Sequence, residues 1–550
     1  MLFRSYFQDE IKLRQRLTLR LGLRDEMTNG WNEVFGRCTN YFYDPGFVIQ
    51  TNPNIGNSCL QTNNAKLLLQ PRVGLAWDPS GRGTWSVRAS FGIHNDLLDN
   101  LGIRAQPNPP FAAREQLNIT GSDPAANGVP GFLPLLPLQK NVALPPTCND
   151  QLVAAKQLCS IYQPTGFDPN MFTPTVQIWS LTVERQLARD LMLEVGYIGS
   201  QSYHTNLTLD GNTAPPEVCQ NPTDPRGCPS GGVLPLVKVN GVLQAPGFVP
   251  QGTTYMQSRP PVPAVVVNGV TVVPQLVQRP NPYVSNTQSW FDDGTASYHA
   301  LNVSLVKRAT RGLAFKANYS YSKVMDLNSA ILAPSGENEP QDLFSPYDRF
   351  LNRGPAAYSL NHQFNANFSY QLPFGSGQRF ASGSRGLVNQ LIGGWQWNGI
   401  VTAQDGFPFT PQIGFNNTGT GDQNVADVPD RNPNFTGPVI LGTVDHWFDP
   451  NAFTLPIPGT FGNVSRGAFR GPGLFDLDTS FFKRFRISEQ WTLQFRTEIF
   501  NILNHPSFAY PNQVVFTGNS SSYSYSPSAG TITAASTTSR QIQFALKLLF

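Results

Sequence analysis

The sequence predicts an all-β protein whose strands cross a bilayer as the wall of an antiparallel transmembrane β-barrel. Three observations lead to this prediction. The first is strict alternation of apolar and polar residues in about thirteen segments, each long enough to cross a membrane as a tilted strand. The second is that the connections between these segments switch between very short and very long. The third is an aromatic residue, Phe550, that closes an alternating segment at the very C-terminus.

The C-terminal segment shows the pattern most clearly. Ile542, Phe544, Leu546, Leu548 and Phe550 fall on one side of an extended strand, and the residues between them fall on the other. In a barrel wall the apolar side meets lipid and the polar side meets a hydrated lumen. The last four of these apolar residues also resemble the terminal signal that the outer-membrane barrel assembly machinery recognises.

The other alternating segments are distributed along the whole chain. A half-buried strand of a soluble sandwich alternates as well, so the pattern is informative because it recurs so often. In chain order, the sequence predicts strands near 2–11, 13–23, 66–77, 85–94, 176–187, 191–200, 297–307, 313–322, 363–372, 395–403, 475–487, 491–499 and 540–550.

The connections fall into two length classes. Short ones are predicted near Lys12 and at 79–84, 187–190, 308–312 and 487–490, with a medium one at 373–394. Long ones are predicted at 26–65, 95–175, 201–296, 325–359, 404–474 and 502–539. This spacing is typical of outer-membrane barrels, which have tight periplasmic turns and long extracellular loops. A soluble sandwich has no reason to place every long loop at one end, and a propeller would show a regular blade period.

Composition agrees with this fold. Charged residues make up 14% of the 550-residue chain and aromatic residues 11%, with 48 glycines and 47 prolines. The net charge of +3 indicates neither a nucleic-acid partner nor an acidic one. No apolar run is long enough for a transmembrane helix. The first ten residues lack the apolar core of a signal peptide and already have the pattern of a strand.

The six cysteines all lie in predicted long loops. Cys38 and Cys59 lie in the first, Cys148 and Cys159 in the second, and Cys219 and Cys228 in the third. Fifteen pairings are possible, and one disulfide in each loop is the simplest. Disulfides indicate an oxidising compartment such as the periplasm or the cell surface. A zinc site is the rival interpretation, but the chain has no closely spaced cysteine pair and its six histidines are scattered.

Several motifs together resemble the barrel of Oar-like TonB-dependent receptors along nearly the whole chain. No one of them is diagnostic, whereas their order and spacing are specific. They are Leu21-Gly-Leu-Arg24, Trp77-Asp-Pro79, Val87-Arg-Ala-Ser-Phe-Gly-Ile93, Leu193-Glu-Val-Gly-Tyr-Ile-Gly-Ser200, Ser297-Tyr-His-Ala-Leu301, Ala317-Asn-Tyr-Ser-Tyr-Ser-Lys323, Tyr370-Gln-Leu-Pro-Phe-Gly375, Gly393-Gly-Trp-Gln-Trp397, Gln404-Asp-Gly-Phe-Pro-Phe-Thr410, Arg470-Gly-Pro-Gly473, Phe482-Lys-Arg-Phe485 and Phe495-Arg-Thr-Glu-Ile-Phe-Asn-Ile-Leu-Asn-His-Pro-Ser-Phe508.

The resemblance implies a location in the outer membrane of a Gram-negative bacterium and a barrel of about 22 strands with a plugged lumen. It also implies a plug domain, a TonB box and N-terminal segments, none of which these residues contain. The chain is therefore expected to be the C-terminal portion of such a barrel, contacting TonB only through the plug region. An unpaired strand edge in lipid leaves backbone groups unsatisfied, so a stable closed pore from this chain alone is not expected.

Charged residues on the polar side of the predicted strands are candidates for the lumen surface. They would hydrate the lumen or touch a plug, and they are Arg14, Arg16, Arg20, Arg88, Glu194, Lys316, Asp476, Asp478, Arg496 and Glu498. The two aspartates share a strand face with arginines, which favours a charge ladder over an acid–base pair. The usual nucleophile, phosphate-loop and metalloprotease motifs are absent, so neither catalysis nor a cofactor is predicted. A calcium site in the turn-rich segment 416–432 stays open, although the EF-hand spacing is absent.

Two functional hypotheses remain. In the first, the intact receptor binds an extracellular ligand with its loops and lumen and imports it with energy delivered by TonB. In the second, the chain is a structural or adhesive surface protein, or a truncated barrel without transport. An enzyme barrel would need a nucleophile and base that the sequence does not place. Siderophore, oligosaccharide and peptide all remain open as ligands.

Overall fold

A computed structural model describes most of the wall and part of the loops. The described residues are 2–28, 30–44, 48–96, 108, 111, 164–213, 237–239, 242–244, 265–267, 270–272, 281, 284, 286–329, 349–418, 420, 427–456, 461–488, 490–519 and 522–550. Four of the cysteines, Cys148, Cys159, Cys219 and Cys228, lie outside them, so the disulfides expected in the second and third loops are not described.

The described residues form one large antiparallel sheet whose thirteen main strands pair in the order in which they occur along the chain. This number and order confirm the predicted meander. The strands are β1 (Leu2–Arg14), β2 (Leu17–Thr28), β3 (Leu68–Trp77), β4 (Trp85–Asn95), β5 (Thr175–Ala188), β6 (Leu191–Leu209), β7 (Gln288–Thr310), β8 (Leu313–Asp326), β9 (His362–Gln371), β10 (Trp395–Gln404), β11 (Leu474–Arg486), β12 (Thr492–Phe500) and β13 (Gln541–Leu549).

The pairing register keeps apolar residues on one side of the sheet and polar residues on the other. Phe495 lies opposite Leu546 in β13, whereas its neighbour Gln494 lies opposite Lys547 in β13 and Arg484 in β11. Successive residues of a strand point to opposite faces, so a constant pairing register places the apolar residues of neighbouring strands on the same face of the wall. The side chains of Phe544 and Leu546 are 68% and 69% exposed. Apolar side chains this exposed, repeated along the sheet, form the surface that faces lipid.

The short connections lie at one end of the sheet. The first turn is at Gln15 and Arg16, not at Lys12 as predicted, because Lys12 still pairs with Thr18 inside the sheet. A second short turn follows β3, where the carboxylate of Asp78 accepts hydrogen bonds from the backbone N–H groups of Ser80, Gly81 and Gly83. The connection between β9 and β10 is longer and contains a short helix, α1 (Gly386–Ile392).

The long connections lie at the opposite end and carry small strands and turns of their own. β6 and β7, with 19 and 23 residues, extend into this region. Short 3-10 helices lie at Arg349–Asn352 and Pro450–Ala452. The small strands are Cys38–Asn40, Tyr43–Asp44, Val48–Ile49, Asn54–Gly56, Thr165–Phe167, Val237–Val239, Val242–Gln244, Val265–Val267, Val270–Val272, Gly354–Pro355, Pro408–Phe409, Gln412–Ile413, Asp430–Arg431, Phe453–Thr454, Phe469–Arg470, Val514–Asn519 and Ser522–Tyr525.

The sheet is open. In the described part of the chain, β1 pairs only with β2 and β13 pairs only with β12, so the two ends of the meander do not join. Each outer edge therefore presents unpaired backbone N–H and C=O groups. No helix of the described ranges is long and apolar enough to cross a membrane.

Candidate functional site: a polar wall beneath a packed loop cap

The polar face of the wall carries charged side chains that pair with one another between or along strands. The Nε of Arg20 lies 2.7 Å from the Oε2 of Glu10, and an Nη of Arg88 lies 3.0 Å from the Oε1 of Glu184. Arg496 and Glu498 lie 3.6 Å apart, and the guanidinium of Arg496 lies 4.4 Å from the centre of the Phe482 ring. These three arginines thus have acidic or aromatic neighbours, as in a hydrated charge ladder.

The remaining lumen candidates are spread over the sheet. Glu194 lies directly opposite Glu184, and Lys316 lies opposite Asn367. Arg14 ends β1, and Arg16 lies in the turn that follows, with its guanidinium next to Gly81. The wall therefore does not gather the predicted charges into one cluster.

The outer ends of β11, β12 and β13 enclose two of the predicted polar residues. Asp476 and Asp478 line an open cavity of about 330 Å³, and the remaining lining residues are Phe500, Asn501, Thr537, Thr538 and Gln541. The Oδ1 of Asp478 accepts a hydrogen bond of 2.9 Å from the backbone N–H of Asn501. This bond ties the wall to the start of the last long connection, directly below the loops.

The loops form a cap with two packed parts. The first, here called the C-terminal lobe, comprises the described residues of 405–473 and 501–540. Its core is a cluster of aromatic and aliphatic side chains centred on Phe448, whose ring lies 5.8 Å from Phe409 and 5.9 Å from Phe453. The other buried members are Ile413, Val428, Ala452, Val464, Phe469, Val515, Phe516 and Ala529. A core of this size makes the two connections one folded unit.

The second part, here called the N-terminal lobe, comprises the described residues of 30–67 and 164–174 with the outer ends of β6 and β7. A disulfide joins Cys38 to Cys59, as the sequence predicts for the first loop. Beside it, the ring of Phe167 stacks on Trp290 at 5.2 Å and meets Trp31 edge-on at 5.0 Å. A covalent link and buried aromatic rings hold this loop against the strand ends.

Two arginines, the buried Arg466 and the partly buried Arg470, join the cap to the wall. Arg466 of the C-terminal lobe forms an ion pair with Asp326 at the end of β8, and their side chains are 2% and 5% exposed. The same guanidinium donates to the carbonyl oxygen of Gly354 at 3.2 Å. Arg470 donates to the carbonyl oxygen of Ser359 at 2.8 Å. Both arginines thus bridge segments more than 100 residues apart in the sequence.

A third arginine, Arg349, lies mostly buried beside the N-terminal lobe, with 13% of its side chain exposed. Arg349 pairs with Asp293, and its guanidinium lies 4.8 Å from the centre of the Phe291 ring. Burial lowers the pKa of Arg349 to about 10, because a charged guanidinium is poorly solvated there. The guanidinium of Arg349 is still charged at neutral pH, and Asp293 and the face of the Phe291 ring stabilise this charge.

Among the described residues, one buried acid of the C-terminal lobe, Asp427, forms no ion pair with a basic side chain. The carboxylate of Asp427 accepts hydrogen bonds from the backbone N–H and the hydroxyl of Thr418, at 2.7 and 3.0 Å. Burial raises the pKa of Asp427 to about 6, because these two bonds only partly replace water around the charge. A small cavity of about 100 Å³ adjoins it, lined also by Leu351, Val428, Phe461 and Val464.

The raised pKa of Asp427 predicts that the C-terminal lobe is more stable at low pH. The folded lobe holds the proton more tightly than the unfolded chain, so this contribution is complete below pH 3.8 and is lost as the pH rises towards 6. Its size is about 3 kcal/mol at most. Hydrogen exchange of the lobe, corrected for intrinsic rates, should therefore accelerate between about pH 4 and 6 and change little above that range.

Asp427→Asn should abolish most of that pH dependence, because the amide has no charge to desolvate and can still bond Thr418. The control is Asp445→Asn, which changes an exposed acid of the same lobe and should leave the dependence as it is. A lobe whose protection varies with pH equally in the parent protein and Asp427→Asn would contradict the role of this carboxyl group.

Several of these residues are not recognisable from sequence patterns. Arg466, Asp326 and Asp427 lie in loops or at a strand end, where no periodicity marks them. Arg466 follows a segment of small and polar residues, and its partner lies 140 positions earlier. The signal that was available is the low overall charge content: in a chain with few charged residues, arginines in turn-rich segments are candidates for buried contacts.

No residues of the described ranges form a group of three or more His, Cys, Asp or Glu that could hold a metal ion. The calcium site left open at 416–432 falls partly outside the described residues. In the part that is described, Asp427 bonds Thr418, and Asp430 accepts a hydrogen bond from the backbone N–H of Asn463 at 2.8 Å. Both carboxylates thus hold loop backbone in place.

A two-faced wall of antiparallel strands, tight turns at one end and a packed cap at the other are typical of outer-membrane β-barrel proteins. The chain belongs to the outer membrane beta barrel domain family, whose model matches residues 2–543. Its location is accordingly the outer membrane of a Gram-negative bacterium. No curated protein sequence matches the chain at a significant level.

Solved structures similar to the chain are outer-membrane transporters and receptors. The outer membrane transporter YddB from Escherichia coli is 10% identical over the whole chain and 44% of its own length, with a TM-score of 0.43. The siderophore receptor PiuA from Acinetobacter baumannii is 9% identical over the whole chain and 43% of its own length, with a TM-score of 0.40. The chain thus spans less than half the length of these proteins.

Proposed function

We propose that the chain supplies part of the wall and of the extracellular cap of an Oar-like TonB-dependent receptor that imports a ligand. The observation that carries the proposal is the cap itself. Six long connections lie at one end of the wall, and the described ones pack into lobes anchored on the strand ends by Arg466, Arg470 and Asp478. A ligand held by such a cap would have the polar face of the wall directly below it.

In this proposal the chain's residues bind and guide, and they do not catalyse. The cap would select the ligand, and the cavity at Asp476 and Asp478 lies where a released ligand would first meet the wall. The ladder that includes Arg88, Glu184 and Arg496 would hydrate the path or contact a plug domain. TonB would act through that plug region, which these residues do not include.

Uptake can be tested without knowing the ligand in advance. The complete gene would be deleted or retained in its Gram-negative host, with TonB present or absent, and mass spectrometry would follow the compounds that disappear from the medium. We expect at least one compound whose depletion requires both the gene and TonB. Identical depletion profiles in all four strains would refute import.

An adhesive role is the second candidate, and exposed apolar side chains of the cap favour it. Phe35, with 76% of its surface exposed, and its neighbour Val34 project from the first long loop. Such residues suit contact with another surface. Loss of cell-to-cell attachment in the deletion strain, with unchanged depletion profiles, would support adhesion instead of import.

We also propose that the last strand is the signal by which the barrel assembly machinery recognises the chain. Its apolar residues Phe544, Leu546, Leu548 and Phe550 all lie in or just after the edge strand β13, and the ring of Phe550 lies 5.5 Å from Trp491. An edge strand has a free row of backbone groups, so another protein can pair with it.

Replacing Phe550 with serine should therefore reduce the amount of the protein in the outer membrane several-fold, by about the fivefold that a loss of 1 kcal/mol in recognition gives. Membrane fractionation and immunoblotting would measure this. The control is Phe475→Ser on the apolar face of β11, which removes an equally apolar side chain far from the terminus. Equal loss in both variants would mean that Phe550 acts only as a lipid contact.

A further inference from the structure

The helix α1 lies at the end of the wall that carries the short turns. It belongs to the connection 372–394 between β9 and β10, and it is a single amphipathic segment of seven residues. Short turns of an outer-membrane barrel face the periplasm. The helix is therefore at the level of the periplasmic leaflet of the outer membrane or just below it.

Three hydrogen bonds fix the C-terminal end of α1 to the apolar side of the wall. The indole N–H of Trp395 donates to the carbonyl oxygen of Leu391 at 2.9 Å. The ammonium of Lys483 donates to the carbonyl oxygens of Leu391 and Gly393, at 3.0 and 2.5 Å. These carbonyls end the helix and carry its partial negative charge, which a cation stabilises.

Lys483 shows which side of the wall the helix occupies. Lys483 lies two residues from both Phe481 and Phe485 on β11, so the three side chains share one face of the strand. It also lies opposite Phe495, which places it on the face that meets lipid. Only 2% of its side chain is exposed, and its ammonium lies 5.2 Å from the centre of the Trp395 ring. A cation is tolerated on a lipid-facing surface because the end of α1 and two aromatic rings cover it.

The helix turns an apolar side outward from this attachment. Leu387 and Leu391, one turn apart, are 77% and 66% exposed, and Val388 lies beside them. Asn389 faces the connection instead, and its Oδ1 accepts a hydrogen bond from the backbone N–H of Ser376 at 2.6 Å. At 100° per residue, Asn389 lies about 150° from the centre of the apolar side, whereas Gln390 lies at its border, about 60° from Leu387. The exposed leucines continue the apolar belt of the wall.

The same connection carries positive charge. Arg379 and Arg385 lie on its exposed surface, and residues 372–394 include no aspartate or glutamate. The headgroups of a periplasmic leaflet are phosphates, some with a net negative charge. An apolar helix side next to unopposed arginines is the combination by which amphipathic helices lie in a membrane interface.

We propose that α1 is a lipid-binding element, in which Leu387, Val388 and Leu391 insert among the acyl chains of the periplasmic leaflet. Arg379 and Arg385 bind the phosphates of phospholipid headgroups there. Lys483 and Trp395 hold the helix in this position on the outside of the wall. The occupant of this surface is therefore a phospholipid, and a second copy of the chain or another protein is not required.

Photocrosslinking in outer membranes tests the proposal on the full chain. Benzoylphenylalanine would be placed at Leu387, at Leu391 or, as the control on the opposite side of the same helix, at Asn389. After irradiation, mass spectrometry of the purified chain would identify the adducts. We expect at least about tenfold more phospholipid adduct at the two leucine positions than at Asn389, because only the apolar side reaches the acyl chains.

A second pair of variants tests the charge. Arg379→Gln combined with Arg385→Gln should lower the share of phosphatidylglycerol among the adducts by about fivefold or more, because each arginine near an anionic surface contributes about 1 kcal/mol. The control is Arg540→Gln, an exposed arginine at the opposite end of the wall. Crosslinks to lipid A, to a second copy or to another protein would overturn the proposal, as would equal adducts at all three positions of the helix.

Discussion

Replacing Arg466 with methionine should destabilise the attachment of the C-terminal lobe by about 3–5 kcal/mol. The substitution keeps an unbranched chain in a buried position and removes the only part that contacts Asp326 and the carbonyl oxygen of Gly354. Asp326 would then remain buried with a charge that no cation compensates. Breaking a buried pair on one side costs far more than the pair contributes as a whole, since the remaining ion keeps its desolvation penalty.

Hydrogen exchange measured by mass spectrometry would detect this change. Peptides of the C-terminal lobe and of 354–361 should exchange faster by about two orders of magnitude or more, while β1 to β6 should keep their protection. Arg540→Met provides the control, because it removes an exposed arginine from the neighbouring connection. Adding Asp326→Asn to Arg466→Met should restore most of the protection, since it removes the uncompensated charge. An unchanged exchange pattern in the single variant would show that the ion pair does not hold the lobe.

The wall could be predicted from the sequence because each strand carries its own pattern. The alternation at 542–550 or 491–499 depends only on neighbouring residues and on the period of a strand. Connection lengths then determine at which end each loop lies. The predicted position of the first turn, near Lys12, was wrong. Alternation continues through Lys12, so no local pattern shows that the strand extends to Arg14.

The cap could not be predicted in the same way. Its contacts join distant segments: Arg466 meets Asp326 across 140 positions, and Asn281 donates to the carbonyl oxygen of Ile49 across 232. The lobes are built from strands of two to six residues, too short for a period to be recognised. The cysteines were the exception. Cys38 and Cys59 are recognisable by residue type, and their pairing within one loop follows from their proximity in the sequence.

The same contrast applies to Lys483. The alternation of its strand assigns Lys483 to the lipid side, where a lysine is unfavourable, and nothing in the neighbouring sequence explains this residue. The reason is the end of α1, about 90 residues away, whose carbonyl groups receive the ammonium. A charged residue on the wrong side of a strand was therefore the sequence signal for a contact that only the three-dimensional arrangement identifies.

Phe448→Ala should have an effect on the C-terminal lobe comparable to that of Arg466→Met, but through packing. The ring is fully buried between Phe409 and Phe453. Truncation to alanine removes the transfer free energy of the ring and leaves a cavity in the centre of the cluster, with a cost of about 3–5 kcal/mol. The strands Asp430–Arg431 and Phe453–Thr454 are too short to hold together without this core.

The expected result is exchange of the whole C-terminal lobe, including 514–519, faster by about two orders of magnitude or more, because both connections share one core. Phe35→Ala is the matched control: it makes the same truncation on an exposed ring of the first loop and should cost less than about 0.5 kcal/mol. If only peptides next to Phe448 lost protection, the two connections would be independent units. Loss of protection in both connections would establish the lobe as one cooperative structure.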